Sequence, residues 1–564
     1  MTNQAPLLQI SNLVLSFSRE NSWNTVIKNI SYDLYPNEIL GIVGESGSGK
    51  SVSSLAVLGL LPEKIARIDS GKITFDGKDI TWLNSKEFRK IRGKEISMIF
   101  QEPMSSLNPS LKCGYQVEET LLEHTNLSKK EVKAEVLSLF EKVKLPNPEK
   151  IYNSYPHQIS GGQKQRVMIA MAIACKPKIL FADEPTTALD ITVQKEIIKL
   201  LKELQQETGM SIIFISHDLA LVSEIADRVL VMYKGEIVEQ GATAAIFHNP
   251  TQTYTKALIA SRPSLDERLK RLPTIADFLN ETTPTELITT QERTKRLEKL
   301  YAQSPILEVK NIEKIYYSSM GIFGKKMAFQ ALQDISFKVY EGETKGLVGE
   351  SGSGKSTIGN AILQLDKATK GQIFYKGTDI TALSDKEFKN FRKEIQIIFQ
   401  DPYSSLNPKM KVGEAIMEPM QVHKLYKNNK ERKQKTLEIL ERVGLSAEHF
   451  DRYPHEFSGG QRQRIGIART IALQPKLIVC DESVSALDIS VQAQVLNLLN
   501  ELKENFGFTY IFISHDLAVV KYVSDKILVL NKGHLEEETE ADELYQNPKT
   551  EYSKKLIKAI PKGS

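Results

Sequence analysis

The sequence predicts an α/β protein of two tandem domains, each built on a mainly parallel sheet, and three observations predict it. At 564 residues the chain exceeds what one hydrophobic core organises. Long stretches recur in the same order about 300 residues apart. Within each copy, short apolar runs alternate with helical periodicities, the grammar of a parallel sheet covered by helices.

The repeat is read directly. "GIVGESGSGKS" at 41–51 returns as "GLVGESGSGKS" at 346–356, and "IFQEPMSSLNP" at 99–109 returns as "IFQDPYSSLNP" at 398–408. "YPHQISGGQKQR" at 155–166 returns as "YPHEFSGGQRQR" at 453–464, and "FISHDLA" stands at 214–220 and 512–518. The period is that of a domain, far above the ~20–50 residues of a solenoid. The expected organisation is a first domain over 7–261, a linker over 262–305 and a second domain over 306–560. The linker mixes both charge signs with Pro263, Pro273, Pro284 and Pro305, reads as a spacer, and offers one short helix at "QERTKRLEKLYA".

In chain order, "EILGIVG" and "ETKGLVG" are strands feeding a glycine-rich turn, and "SVSSLAVLGLL" and "STIGNAILQL" are the helices behind it. "SKKEVKAEVLSLFEKV" opens on a capping box of Ser128 and Glu131 inside a more helical insert, matched by "NKERKQKTLEILERVG". "KILFAD" and "KLIVCD" are buried strands. The helices after them end at Gly209 and Gly507, and "MSIIFIS" and "FTYIFIS" are strands again.

Composition excludes several classes. Apolar content of 41% and charged content of 26% are those of an ordinary water-soluble globular protein. A net charge of +4 is too small for a protein held on nucleic acid by phosphate neutralisation. Cys113, Cys175 and Cys480 lie far apart, with neither metal nor redox spacing, which fits a reducing compartment. "MTNQAPLLQISNLVLSF" has no signal-peptide pattern, and no run approaches ~18 uninterrupted apolar residues, so a cytosolic chain is expected.

The chemistry sits in the repeated motifs. "GESGSGKS" fits G-x-x-x-x-G-K-[ST] between a strand and a helix, the context that validates it. Gly44, Ser46, Gly47, Ser48 and Gly49, and Gly349, Ser351, Gly352, Ser353 and Gly354, let backbone N–H groups close around phosphates. Val52 and Thr357 continue into the helix. Lys50 and Lys355 reach the β- and γ-phosphates, and Ser51 and Ser356 hold Mg²⁺. Asp183 and Asp481, at the ends of apolar strands, complete the metal shell; Glu184 and Glu482 stand where a carboxylate orients and deprotonates water. Ser160, Gly161, Gly162 and Gln163, and Ser458, Gly459, Gly460 and Gln461, form a second anion-binding helix N-terminus in each copy.

The ordered set of phosphate loop, "FQ", "SGGQ", "DE", "ALD" and "SHD" resembles the ATP-binding-cassette (ABC) ATPase family over both halves. That resemblance implies an antiparallel β subdomain and a helical subdomain beside each parallel core, with ATP and Mg²⁺ as cofactors. It implies head-to-tail cassettes, with Lys50 facing Ser458 and Gly460, and Lys355 facing Ser160 and Gly162. Gln101 and Gln400 match the family's lid glutamines, which touch Mg²⁺ and the attacking water. His217 and His515 match its switch histidines, and Phe17 and Tyr316 its adenine-stacking aromatics.

The wording "FQEPMSSLNP", "YPHQISGGQKQRVMIAMAI", "NPTQTYTKALIASRP" and "NPKTEYSKKLIKAIP" resembles the ATPases of bacterial oligopeptide/dipeptide importers. A fused pair resembles the glutathione-type and microcin C-type branches, and "GKSVSSLAVLGLLP" is especially similar to the latter. The implied partners are two integral-membrane permeases and, through them, an extracytoplasmic solute-binding protein, with no nucleic acid. The implied location is the cytoplasmic face of the plasma membrane. Residues 248–305 and 547–564 contain no Cys, so no iron–sulfur cluster is expected. The tip around Met320, Ile322, Phe323, Lys325 and Lys326 reads as a hairpin end. Tandem cassettes of ribosome-associated factors differ in signature wording and linker, and those of DNA-repair ATPases carry zinc-binding cysteines. All of the ligands survive in both halves, so two hydrolysis-competent sites are expected, with Pro185 replaced by Ser483 altering only turn stiffness.

Overall fold

The structure is a computed structural model describing residues 5–19, 22–101, 106–187, 189–319, 326–401, 403–485 and 487–561. The chain divides into two compact units, with the break at Ile259 and Ala260.

In the first unit, β1 (Leu8–Arg19), β2 (Ser22–Leu34), β4 (Ala66–Phe75) and β5 (Lys78–Asp79) form an antiparallel sheet of order β2-β1-β4-β5. A second sheet has the order β10-β9-β3-β8-β7-β6. Its members are β3 (Ile39–Val43), β6 (Ile96–Ile99), β7 (Ile179–Asp183), β8 (Ser211–Ile215), β9 (Arg228–Tyr233) and β10 (Glu236–Ala242). All its neighbours pair in parallel except β10, an antiparallel edge on β9. β3, β7 and β8 are buried at every residue, which is why they read as unbroken apolar runs and not as alternation. The core lies where the two sheets meet: Leu13, Ile27 and Ile73 pack in one cluster with Ile42, Phe181, Ile213 and Leu230.

Helix α1 (Lys50–Val57) follows β3. The helical part comprises α2 (Cys113–His124), α3 (Lys129–Lys142) and α4 (Gly161–Ile173). The capping box read from Ser128 and Glu131 is present at the start of α3. α5 (Ile191–Thr208) stops at Gly209, whose φ of 69° no longer continues a helix. α6 (Leu219–Ile225) is capped by Asp218, which accepts from the Ala220 amide.

Residues 262–305 fold within the second unit, as α7 (Ile275–Leu279), α8 (Thr290–Tyr301) and a bridge pairing Leu269 with Leu287. The second unit then repeats the first. β11 (Pro305–Ser319), β12 (Lys326–Tyr340), β14 (Lys370–Tyr375) and β15 (Thr378–Asp379) make the antiparallel sheet. β13 (Thr344–Val348), β16 (Ile395–Ile398), β17 (Leu477–Asp481), β18 (Thr509–Ile513), β19 (Lys526–Asn531) and β20 (His534–Glu540) make the mainly parallel one, in the order β16-β17-β18-β13-β19-β20. Its helices include α9 (Lys355–Ile362), α10 (Val412–Val422), α11 (Asn429–Arg442), α12 (Gly459–Ile471), α13 (Ile489–Phe506) and α14 (Leu517–Val523). α13 ends at Gly507 with φ 66°. Among the described residues, no helix is long and apolar enough to cross a membrane.

Candidate functional site

In each unit the central strand, β3 or β13, is flanked on both sides by parallel neighbours, so the crevice at the carboxyl ends of the strands opens beside it. β3 runs into the loop 44–49, β6 leads to Gln101, β7 ends on Asp183 before Glu184, and β8 leads to His217. The same four segments of the second unit bring Lys355, Gln400, Asp481–Glu482 and His515 together.

The loop is shaped for close approach. Gly44 has φ 149°, and a Cβ on it would stand 2.2 Å from the Met232 carbonyl oxygen; Gly349 repeats this with φ 152° and the Leu530 oxygen at 2.2 Å. Lys50 Nζ donates to the carbonyls of Gly44 (2.7 Å) and Glu45 (2.9 Å), and Lys355 to those of Gly349 (2.8 Å) and Glu350 (3.1 Å). Both ammonium groups are thus held over their loops. The buried hydroxyls of Ser48 and Ser353 have no hydrogen-bond partner, an orphaning that a ligand in the loop would explain.

Ser51 donates to Asp183 Oδ1 at 3.0 Å, and Ser356 to Asp481 Oδ1 at 3.1 Å. Burial pushes the Asp183 carboxyl up to about 6, the neighbouring Glu184 charge adding to it, and burial raises Asp481 likewise. A divalent cation beside either hydroxyl–carboxylate pair would relieve that cost. Among the described residues there is no cluster of three or more His, Cys, Asp or Glu that would hold a metal unaided. The pairs therefore fit Mg²⁺ shared with phosphate oxygens and water, the ion's usual manner of binding.

Glu184 and Glu482, each just past its strand, sit at φ 47°, in the left-handed region that residues other than glycine rarely adopt, and donate their amides to Ile215 and Ile513 at 2.9 Å. Glu184 Oε2 accepts from Gln101 Nε2 (2.9 Å) and Thr187 Oγ1 (2.9 Å) and lies 3.2 Å from His217 Nδ1. Burial alone would raise this carboxyl. His217, with Thr187 and Lys50, outweighs burial and holds it at about 2. Glu482 Oε2 accepts from Gln400 at 2.8 Å and lies 3.4 Å from His515 Nδ1. Its carboxyl is lowered against burial in the same way, and His515 is raised because the Glu482 carboxylate overcomes the desolvation of the ring.

The two sites differ in one donor. Thr187 bonds the Glu184 carboxylate, whereas Ser485, at the matching position, donates to the Glu482 backbone carbonyl at 2.9 Å. The replacement noticed in the sequence, Pro185 by Ser483, leaves the preceding glutamate at the same φ in both copies. The sequence reading passed over Thr187; aligning "DEPTT" with "DESVS" was the available signal.

Ser160 and Ser458 are exposed, cap α4 and α12, and form capping boxes with Gln163 and Gln461. Gly162 and Gly460 are fixed by packing: a Cβ would come within 2.8 Å of Val193 and 2.3 Å of Val491. Phe17 is partly buried against the core, while Tyr316 is 40% exposed and its hydroxyl donates to Asp366. Residues 102–105, Pro402 and 320–325 lie outside the described residues, so the first half of "EPMSSLNP", one position of "DPYSSLNP" and the tip with Met320, Ile322, Phe323 and Lys325 carry no structural account.

The profile described as "ABC transporter" matches residues 27–187 and 332–485, and that described as "Oligopeptide/dipeptide transporter, C-terminal region" matches 238–286. The glutathione import ATP-binding protein GsiA of Salmonella typhimurium is 44% identical over 562 residues, 98% of this chain and 89% of that protein. Its Escherichia coli K12 counterpart is 43% identical over 566 residues, with the same coverage of 98% and 89%. A solved dimeric ATP-binding cassette in a post-hydrolysis state with ADP and Pi is 31% identical, with a TM-score of 0.38, and covers 42% of this chain and 98% of that one.

Two outcomes follow from this geometry. Thr187→Val should slow ATP cleavage at the Glu184 site about ten- to a hundredfold with ATP affinity unchanged, as expected for one lost bond to a charged group. Ser485→Ala should move cleavage at the Glu482 site less, since its bond is to backbone; single-turnover assays on each variant decide. The second concerns pH. His515 is raised above its usual 6.5, so its stabilisation is complete below pH 6.5 and lost as pH rises through the folded value. The urea midpoint of the full chain should fall over that window, and His515→Ala should flatten the fall.

Proposed function

The chain belongs to the ABC transporter ATPase family, in its oligopeptide/dipeptide branch, and on that premise we propose that both of its phosphate loops hydrolyse ATP to drive peptide import. The observation that carries this reading is the completeness of the set in both copies. Each has a held lysine, a hydroxyl–aspartate pair, and a glutamate gripped by a glutamine and a histidine.

In the working cycle Lys50 and Lys355 leave their loop carbonyls to grip the β- and γ-phosphates. Ser51, Asp183 and Gln101, with Ser356, Asp481 and Gln400, would hold Mg²⁺, which when bound neutralises phosphate charge. Glu184 and Glu482 are ionised at neutral pH, so each accepts a hydrogen bond from the attacking water and orients it. One oxygen of each, Oε2, is occupied by Gln101 and His217, or by Gln400 and His515. Turning those donors towards a γ-phosphate frees the carboxylate for water, so hydrolysis waits on a bound nucleotide. Following the family resemblance, each site is completed in trans: Lys50 with Ser458 and Gly460, Lys355 with Ser160 and Gly162. Phe17 and Tyr316 lie against adenine.

The partners are two permeases, with a solute-binding protein acting through them, and the chain works at the cytoplasmic face of the membrane. Phe100 and Phe399, each just before its lid glutamine, are exposed. Beside Phe399 a cavity of about 370 Å³ is lined by Arg392, Ser405, Glu418, His423 and Arg469, room for the end of a short permease helix. The solute is a peptide or peptide-like molecule. Glutathione is the first to test, because the curated relatives are glutathione import proteins.

Co-expressed with its permeases, the chain should show solute-stimulated ATPase activity. Lys50→Ala or Lys355→Ala should weaken ATP binding at its own site about ten- to a hundredfold. Glu184→Gln and Glu482→Gln should each leave roughly half of the bound ATP cleavable in a single turnover, the fraction expected of two independent bases. Loss of all cleavage in one variant and none in the other would show a single working site. Separately, cysteines at Ser106 or Ser405 should crosslink to cysteines on permease cytoplasmic loops; an assembled complex in which no pair reacts places docking elsewhere.

A further inference from the structure

The segment between the two copies is held to the second cassette by a dense polar network. Arg268, only 10% exposed, donates from Nη1 to the carbonyls of Tyr522 (3.1 Å) and Ser524 (3.2 Å) and from Nη2 to Asp542 (3.0 Å). The carbonyls it takes belong to the end of α14, whose last-turn oxygens have no partner within the helix. Lys521, on α14, donates to the Leu265 carbonyl. Arg293 adds bonds to Ser524 O (3.0 Å), Asp525 O (3.1 Å) and Glu540 (2.6 Å). Arg296 grips both oxygens of Asp525, at 2.7 and 3.2 Å.

A second hold lies on α13. Asn497 receives the Leu272 amide on Oδ1 and returns Nδ2–H to the Leu272 carbonyl, both at 2.8 Å. The seat is particular to the second copy. Where it has Asn497, Lys521, Glu540 and Asp542, the first copy has Lys199, Ser223, Ala242 and Ala244. A strap with these arginines would find no carboxylates at positions 242 and 244.

Both anchored helices lead into the candidate active site. α14 begins at its cap Asp516, the residue after the switch histidine His515, and is about 10 Å long at ~1.5 Å per residue. α13 begins just after Asp488, in the loop that follows Glu482. Fixing the far end of so short a helix fixes the near end as well.

We propose that residues 262–305 form a strap that positions the switch helix of the second cassette, with Arg268 and Asn497 as positioning residues for hydrolysis at the Lys355 site. The inference rests on the reading that both sites hydrolyse ATP. The strap acts through His515: with α14 held, the imidazole stays in line with Glu482 and, when nucleotide binds, with the γ-phosphate. Without the strap the helix end frays, and the ring samples positions that miss both. The strap touches neither phosphate nor water, so its loss changes the rate of cleavage and not the affinity for ATP.

The test uses the full chain assembled with its permeases, in two backgrounds. Glu184→Gln leaves the second site cleaving, and Glu482→Gln leaves the first. Into each are placed Arg268→Ala, Arg268→Lys and Asn497→Lys, the last introducing the first copy's residue at a partly buried position, for use if Arg268→Ala does not fold. In the Glu184→Gln background, single-turnover cleavage should slow about tenfold for Arg268→Ala and Asn497→Lys, as expected for the loss of two or so hydrogen bonds. Arg268→Lys should recover part of it, and ATP affinity should be unchanged. Amide exchange over 516–525 should rise in step. In the Glu482→Gln background, cleavage should stay within about twofold, the scale of a few tenths of a kcal/mol. Equal slowing in both backgrounds, no slowing in either, or a matching loss of ATP affinity overturns the proposal. A Glu184→Gln parent that cleaves nothing overturns the two-site reading instead, and shows itself before any strap substitution is made.

Discussion

Each cassette depends on two adjacent carboxylates placed at the end of one buried strand. Asp183 and Glu184 share a backbone segment and a similar degree of burial, yet their acidities part: the first is raised to about 6, the second held at about 2. Burial acts on both; what separates them is the company. Asp183 has a neutral hydroxyl, from Ser51, and the repulsion of its neighbour. Glu184 has an imidazole, an amide and a hydroxyl converging on one oxygen. One carboxylate is thereby left short of positive charge, which suits a cation site, and the other stays ionised, which suits an acceptor of hydrogen bonds. The parallel order of the strands makes this possible, because it brings the ends of β3, β6, β7 and β8 to one edge.

The duplication reproduces this arrangement with small, directional differences. Both glutamates keep the same backbone conformation, so proline and serine after them are equivalent where geometry is concerned. Ser483 is buried, beside the buried thiol of Cys480. The difference with a chemical consequence is two residues further on, where Thr187 supports the carboxylate and Ser485 supports the backbone. A methyl group explains the choice. The β-branched threonine has a restricted χ1, and here its hydroxyl is directed at Oε2, while serine is free to turn back to the nearer carbonyl.

Much of this was legible in the sequence. Unbroken apolar runs marked the parallel strands, Gly209 and Gly507 marked helix ends, and "SKKE" marked a capping box that the structure contains. Phosphate-loop and carboxylate positions followed from motif and spacing, the glutamines and histidines from the family resemblance, and the structure brings them together within each unit. What sequence did not disclose were contacts without periodicity or motif. Residues 262–305 read as a spacer because their apolar residues are sparse and their charges mixed. Those charges are the binding surface, and their partners Glu540, Asp542 and Asn497 lie more than two hundred residues away. The capping role of Ser160 and Ser458 was visible as a pattern, but the crowding of Gly162 by Val193 needed coordinates.

The polar character of the strap has a physical reason. Buried ion pairs are costly to desolvate and add little net stability compared with apolar packing, so a segment required only to stick would be better made of leucine and isoleucine. In a chain carrying two copies of one domain, however, an apolar segment would find two similar apolar surfaces and bind either. Arginines discriminate, because an unmatched buried guanidinium is heavily penalised. Arg268 and Arg293 meet Asp542 and Glu540 in the second copy, whereas the first offers Ala244 and Ala242 there, and has Lys199 where Asn497 bonds Leu272. The network thus specifies one seat out of two on a duplicated scaffold. It makes the connecting segment part of one cassette.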